Sequence, residues 1–355
     1  MPASHPKPSM AMIAAELGVS MASVSNALNR PERVSAELRA RVLDVATRIG
    51  YAGAAAAARR LPGGLTRTVG VVFTADLPTA LGNSAAVEFL RGLATACNGA
   101  HTSVLLVCAD TEDRGGILNS IKNAVVDGFV VYSVRDDDPL LPVVLHRSVP
   151  TVIVDAPTDV TEAGWVGGND RAAVGLIGAH LRDLGHRRVG VIAPQLNVEL
   201  LNGSVTADRW RTSGYRLMRH RIEGLLESLQ LDDAQVPVEE RFDGSAASGA
   251  EAAHALLDRH SELTAICCLT DELALGALTA ARQRDLTVPR DLTITGFDDI
   301  PEAARAGLTT VSQAHFEKGR VAGELFLSAA AGSRPQRRTL ATHLQIRTTS
   351  GPPPI

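Results

Sequence analysis

Short polar side chains that both donate and accept hydrogen bonds crowd one stretch near the start of the chain, MASVSNALN at 21–29. Ser23, Asn26 and Asn29 are placed for base edges or phosphates, with Ala22 and Ser25 keeping the same face small. A helix that presses against base pairs needs such a face, because longer charged residues would hold its backbone away. Arg30 and Arg33 follow where they can meet the flanking phosphates. The same spacing also suits a three-helix protein-binding or capping domain. Catalysis is not expected: no His-Asp-Ser arrangement, metal-ligand spacing or phosphate-cradling loop accompanies the Asp and His residues, and no metal or cofactor is implied. Cys97, Cys108, Cys267 and Cys268 form no ligand spacing, the adjacent pair reads as buried strand, and a reducing cytoplasm fits.

The elements that must hold these residues can be read from caps and periodicity. Ser9 can cap a helix to about Leu17 that carries Met10, Ile13, Ala14 and Leu17 on one face, and Gly18 stops it. Ser20 caps a second helix, Met21 to Leu28, with Val24 and Leu28 inward. Ser35 caps a third with Leu38, Val42, Val45, Ala46 and Ile49 as its apolar stripe. Two short helices around a Gly-Val-Ser corner are the layout of a helix-turn-helix, whose second helix enters the major groove. Charge agrees. The 355-residue chain has a net charge of -4, yet residues 1–61 hold eight basic against four acidic side chains, so a basic head sits on an acidic body. No run approaches the length of a membrane span, and MPASHPKPSM has no apolar core of a secretory signal.

Residues 9–51 resemble the head of the lactose-repressor family of bacterial transcription regulators. The resemblance is carried by Ala14, Gly18, Val19, Ser20, Ser23, Val24, Ser25, Leu28, Asn29, Val34, Ser35, Arg39, Val42, Gly50 and Tyr51. It implies that Met21 and Ala22 are the main specificity readers. They can touch a thymine methyl or a cytosine edge, but cannot make arginine's bidentate contact to guanine. Asn26 stands where relatives often have arginine, which changes the expected operator. The segment AGAAAAARRLPGG at 52–64 is too short to persist alone as a helix. The resemblance makes it a hinge helix that inserts Leu61 between base pairs, with Arg59 and Arg60 near phosphates. Gly53 replaces a proline common in relatives.

From Arg67 the pattern changes to short apolar strands alternating with helices: TVGVVF, a helix near 84–99, SVLLVCA, a helix near 112–123, VDGFVVYS, LLPVVLHRS and VPTVIVD. It then restarts, with helices near 171–185, 213–230, 246–260 and 272–284 among RRVGVIA, LTAICCLT and LTITGFDD. Two tandem α/β units of parallel sheet imply a two-lobed body with a cleft. The resemblance, marked by Asp127-Gly128, Leu184-Gly185-His186-Arg187 and Gly296-Phe297-Asp298-Asp299, implies a body like the periplasmic sugar-binding proteins, crossed three times by the chain. Crossings near 160, 292 and 325 would give lobes of about 65–160 with 293–325, and 161–292 with 326–355.

Open α/β units bind ligands at the carboxyl ends of their strands, where Asp76, Asp155 and Asp298 fall. Each could instead be a helix cap or a lobe-to-lobe ion pair. The resemblance adds Arg221 as the effector-contacting arginine and Thr270 where sugar-responsive relatives carry asparagine. Gly244 stands where some place a stacking aromatic, and with aromatics at 3% few rings are free for that task. QLNVELLNGSVTADRWRTSG at 195–214 is longer than the usual connection. It is either an addition at the cleft mouth or a surface elaboration with Trp210 folded inward. The function implied is an effector-controlled repressor that binds a near-palindromic double-stranded DNA operator as a homodimer. Its effector would be a sugar, sugar derivative or nucleoside-like molecule, and its place the cytoplasm, at the nucleoid, with no membrane partner. The competing function is a solute-binding or sensor protein without a DNA role, against which the serine-asparagine helix argues.

Overall fold

The computed structural model describes residues 9–29, 33–49, 51, 66–108 and 114–354. The hinge at 52–64, Leu61 within it, and the Asn29 side chain lie outside the described residues. The chain divides into a small N-terminal unit and a large body.

The head is three helices, α1 (Met10–Leu17), α2 (Met21–Asn29) and α3 (Ala36–Arg48). Gly18 ends α1 at φ 67°, a left-handed conformation that L side chains resist. The chain bends by 111° between α1 and α2, within the range of helix-turn-helix corners. Ser20 and Ser35 cap as expected, accepting from Ser23 N at 3.0 Å and Leu38 N at 3.2 Å. Ser9 holds the N-cap position but makes no side-chain cap bond. Ile13, Ala14, Val24, Ala27, Leu28, Val42, Val45 and Ala46 form the head's core.

Among the described residues the first lobe of the body is a six-stranded sheet in the order β12-β5-β4-β3-β1-β2. Its strands are β1 (Thr68–Phe73), β2 (Ser103–Cys108), β3 (Gly128–Tyr132), β4 (Thr151–Val154), β5 (Gly164–Gly167) and β12 (Arg337–Thr339). The β1–β3, β3–β4, β4–β5 and β5–β12 pairings are parallel. The second lobe has the order β10-β9-β6-β8-β7, from β6 (Val189–Pro194), β7 (Asn202–Val205), β8 (Val238–Arg241), β9 (Ala265–Cys268) and β10 (Thr293–Thr295). All its pairings are parallel except the edge strand β7, which runs antiparallel to β8. A separate ribbon pairs β11 (Thr310–Ser312) with β13 (His343–Gln345).

Helices cover these sheets. The first lobe carries α4 (Leu77–Gly82), α5 (Ser84–Gly99), α6 (Arg114–Asn123), α7 (Leu140–Leu145) and α14 (His315–Ala330). The second carries α8 (Asp170–Asp183), α9 (Ala207–Arg211), α10 (Arg216–Leu229), α11 (Ala246–Arg259), α12 (Asp271–Gln283) and α13 (Pro301–Arg305). One core fills the first lobe around Phe89, Leu93, Val130, Val152 and Phe326, and two lie on opposite faces of the second sheet, around Ile192 and around Val191.

Sheet pairing places the crossings later than the sequence suggests. Strand β5 extends the first sheet, so the chain leaves that lobe at 168–169 rather than near 160. Strand β10 pairs with β9 and α13 packs in the second lobe, which puts the next crossing at 313–314 rather than 292. The last lies at 340–342, after β12 has rejoined the first sheet, rather than at 325. The run LLPVVL, grouped with the apolar strands by composition, is helix α7 with Leu140, Leu141 and Val144 inward.

Candidate ligand cavity and nucleic-acid interface

In the head, Met21 is 55% exposed and Ala22 and Arg33 are also exposed, while Ser23, Ser25 and Asn26 are half-buried. Val24, Ala27 and Leu28 pin the opposite face of α2 to the core. The outer face of α2 is therefore available to a groove. Ser23 Oγ lies 2.9 Å from Ser20 Oγ, which orients its hydroxyl beside the cap.

In the body, a cavity of about 290 Å³ lies between the lobes, lined by Asp155, Arg221, Thr270 and Asp298 among others. Four of the five carboxylate, guanidinium and hydroxyl positions expected from the sequence thus meet at one place. Asp76 does not. It caps α4, accepting from Thr79 N at 2.8 Å, and it is Thr79 that faces the cavity. A strand-end aspartate three residues before a backbone N–H is equally a helix cap, and here capping wins.

Arg221 is placed by tight helix packing. A Cβ on Gly224 would stand 2.1 Å from the Arg171 carbonyl oxygen, so only glycine lets α10 press this closely on α8. That approach puts Arg221 Nε 2.7 Å from Asp170 Oδ1, at the start of α8. Nη1 donates to the Leu269 carbonyl at 2.7 Å, and the guanidinium lies 4.0 Å from the centre of the Phe297 ring. Burial opposes its charge, but Asp170 and Asp298 more than offset that and raise its pKa. A ligand would meet the Nη2 hydrogens or the second Nη1 hydrogen, since Nε and one Nη1 hydrogen are committed.

Asp298 sits at φ 127°, and Asp155 and Ser133 at φ 62° and 46°, all at the ends of strands that open onto the cavity. Such conformations are costly for L residues and persist where surrounding contacts over-determine them. Asp298 Oδ1 accepts from Gln313 Nε2 at 2.9 Å and His315 Nε2 at 3.2 Å. Burial pushes its pKa up, yet His315, Arg221 and Gln313 together hold it below the usual carboxylate range. Asp155 is met by Lys318 Nζ at 2.8 and 2.9 Å from its two oxygens. Thr270 caps α12, accepting from Leu273 N at 3.4 Å, which leaves its hydroxyl proton to donate. Glu272, also on the wall, accepts from Ser84 N of the first lobe at 3.1 Å. Burial and the Asp298 charge push its carboxyl up to about 7.

Several lining residues were not foreseen. Gln313 and His315 become neighbours of Asp298 only through the crossing at 313–314. Rings are more plentiful than a composition of 3% suggests, since Phe73, Tyr132, Tyr215 and Phe242 all line the cavity. Phe242, 40% exposed, supplies an aromatic edge two residues before Gly244. Trp165 is turned away, donating from Nε1 to the Asp155 carbonyl at 2.9 Å. Trp210 is 4% exposed and packs into the second lobe's core, so the long connection is folded inward through its tryptophan. That connection builds β7 and α9 and is docked by Arg209, whose Nε lies 2.6 Å from the fully buried Glu240. It also reaches the cleft mouth: Gly214 O accepts from Asp136 N at 3.3 Å, and Arg216 Nε donates to Asp136 at 2.8 Å.

The cavity's charge is lopsided. Asp155, Asp243, Glu272 and Asp298 line it, while among the described lining residues Arg221 is the one arginine or lysine, already paired with Asp170. Among the described residues such a wall offers acceptors for hydroxyl groups, and the charge of its one arginine is already balanced by Asp170, which disfavours a phosphate. Among the described residues no group of side chains could hold a metal ion, and no single helix is long and apolar enough to cross a membrane.

Comparison with known proteins bears on both regions. Residues 9–53 match bacterial regulatory proteins of the lacI family, and residues 178–350 match the periplasmic binding protein-like domain. An HTH-type transcriptional regulator of Mycobacterium tuberculosis is 39% identical over 356 residues, 99% of each chain. The HTH-type transcriptional regulator IpsA of Corynebacterium glutamicum is 37% identical, with 90% of each chain covered. Among solved structures, a LacI-family transcriptional regulator from C. glutamicum superposes with a TM-score of 0.74 at 34% identity, covering 97% of this chain and 99% of that one. A LacI-family regulator from Enterococcus faecium with bound ribose shares the fold at 23% identity and a TM-score of 0.66, over 80% of this chain and 99% of its own.

Proposed function

Since the chain belongs to the lacI family and is a sequence-specific DNA-binding transcription regulator with an effector-binding domain, we propose that it is a repressor. It reads a near-palindromic operator as a homodimer and is controlled by a small uncharged polyhydroxylated or nucleoside-like effector. The observation that carries the effector class is the cavity wall, with four carboxylates against one guanidinium that is already paired. In this reading Asp155, Asp298 and Glu272 accept from hydroxyls, Thr270 and Arg221 donate, and Phe242 covers one face of the ligand. Met21 and Ala22 enter the major groove first, Ser23, Ser25, Asn26 and Asn29 bond base edges or phosphates, Arg33 neutralises the flanking backbone, and Leu61 is the minor-groove wedge. One short reading helix spans few bases, so two half-sites and two copies of the chain supply the specificity.

The effector acts by binding one arrangement of the lobes better than another, so either sign of control is open to the same cavity. A thermal-shift screen of the full chain against sugars, nucleosides and phosphorylated sugars, repeated with Asp298→Asn, tests the reading. An uncharged compound should stabilise the wild type, lose most of that effect in the variant, and alter duplex binding in a gel shift. A phosphorylated compound that stabilises both proteins equally would refute the cavity assignment.

A further inference from the structure

The two carboxylates that face the cavity from opposite lobes are joined behind it by a buried chain of polar contacts. Lys318, on α14 of the first lobe, holds both oxygens of Asp155 at 2.8 and 2.9 Å and donates to Gln313 Oε1 at 3.1 Å. Gln313 Nε2 in turn donates to Asp298 Oδ1, in the second lobe, at 2.9 Å. His315 Nε2, at the start of α14, reaches the same oxygen at 3.2 Å. All five side chains are less than a tenth exposed, Lys318 only 1%.

The order of donors and acceptors allows no other arrangement of the Gln313 amide. An ammonium has no acceptor, so Lys318 must face Oε1, and a carboxylate has no donor, so Asp298 must face Nε2. Flipping the amide would set NH₂ against NH₃⁺ and C=O against COO⁻. Gln313 also lies in the crossing at 313–314, where β11 of the second lobe ends and α14 of the first begins. Gln313 N also donates to the Asp298 carbonyl at 3.4 Å, and Asp298 N to the Val311 carbonyl at 2.9 Å, so Gln313 stays with the second lobe, and a rotation about that segment parts Lys318 from Gln313 and His315 from Asp298. The complete chain of contacts therefore exists in one lobe arrangement, the one in which Asp155 and Asp298 face a common cavity.

We propose that Lys318 and Gln313 are positioning residues that select this lobe arrangement in the ligand-free protein, Lys318 acting through Gln313 and Asp155. This goes beyond the effector reading and does not depend on which compound binds. The role differs from ordinary charge pairing. A purely structural Lys318 would only neutralise buried Asp155, and removing both charges together would then restore the protein completely.

Lobe separation can be read without an effector. Spin labels at Ser120→Cys and Glu251→Cys, exposed on α6 and α11, report it in full-length Cys108→Ser protein diluted with unlabelled chains. The wild type should give one dominant short distance. Gln313→Leu removes the acceptor that Lys318 meets across the crossing, and it should add a longer component. Loss of a charge-assisted hydrogen bond shifts a two-state ratio by about ten- to a hundredfold. The Asp155→Asn Lys318→Met pair should melt close to wild type and still show the longer component. A single short distance in both variants, each with a cooperative melt, would overturn the proposal.

Discussion

Replacing Arg221 with methionine removes a guanidinium from an ion pair whose side chains are 6% and 2% exposed. Asp170 is then left with a buried charge and no cation at 2.7 Å, and the Leu269 carbonyl loses its donor. Breaking a buried pair from one side costs about 3–5 kcal/mol, because the stranded charge keeps its desolvation penalty. The contact with the Phe297 ring lies inside that figure. Methionine still covers the ring, so about 0.5–2 kcal/mol of cation–ring attraction is the part lost there. Since a domain's whole stability is about 5–15 kcal/mol, the loss is readily measured. Urea unfolding followed by tryptophan fluorescence isolates the body, for the chain's two tryptophans, Trp165 and Trp210, are both in it. Arg221→Met should unfold at a clearly lower urea concentration, and Asp170→Asn placed with it should recover about half of the loss or more. A loss below about 1 kcal/mol, or no recovery in the double variant, would refute the reading of Arg221 as a core-anchored donor.

Further outcomes follow from the same contacts. Glu272, pushed up to about 7, holds its proton more tightly in the folded state. Its stabilising contribution is therefore full below about pH 4.3, declines as pH rises and is lost above about 7. Glu272→Gln should flatten part of the fall in stability across that window, read as urea midpoints at several pH values; Asp271, pushed up to about 8 by burial and Asp298, keeps a slope of the same sign. Gly224→Ala sets a methyl against the Arg171 carbonyl and should cost about 1–3 kcal/mol in the same assay, where an unchanged midpoint would contradict the close approach. Arg209→Met strands buried Glu240 and should cost about 3 kcal/mol, with Glu240→Gln restoring part of it.

The head was legible because each signal is local: a cap, a glycine stop, and apolar residues three and four apart that become one core. The body's class was legible for a similar reason, since buried parallel strands read as apolar runs. Its crossings were not. Strand β12, RRT, is exposed throughout and carries no apolar signature, and β5, GWVG, is four residues of which two are glycine. Arg221 and Asp298 were found through the resemblance and strand-end chemistry, but Asp76 satisfied the same rule and turned out to cap a helix. Lys318 could not be found at all. Its meaning depends on Asp155, 163 residues away, and nothing in HFEKGR distinguishes a buried lysine from a solvated one. Aromatic content misled because composition counts rings over the whole chain, whereas folding gathers four of them at one cavity.

The central claim, specific DNA reading by the outer face of α2, is tested most directly by sequencing the duplexes that the full chain retains from a randomised library at fixed salt. The wild type should enrich one near-palindromic motif with two half-sites. Met21→Glu with Ala22→Glu, which sets two carboxylates against the DNA while leaving the head's core untouched, should enrich none. No motif from the wild type, or the same motif from the doubly substituted protein, would contradict the account.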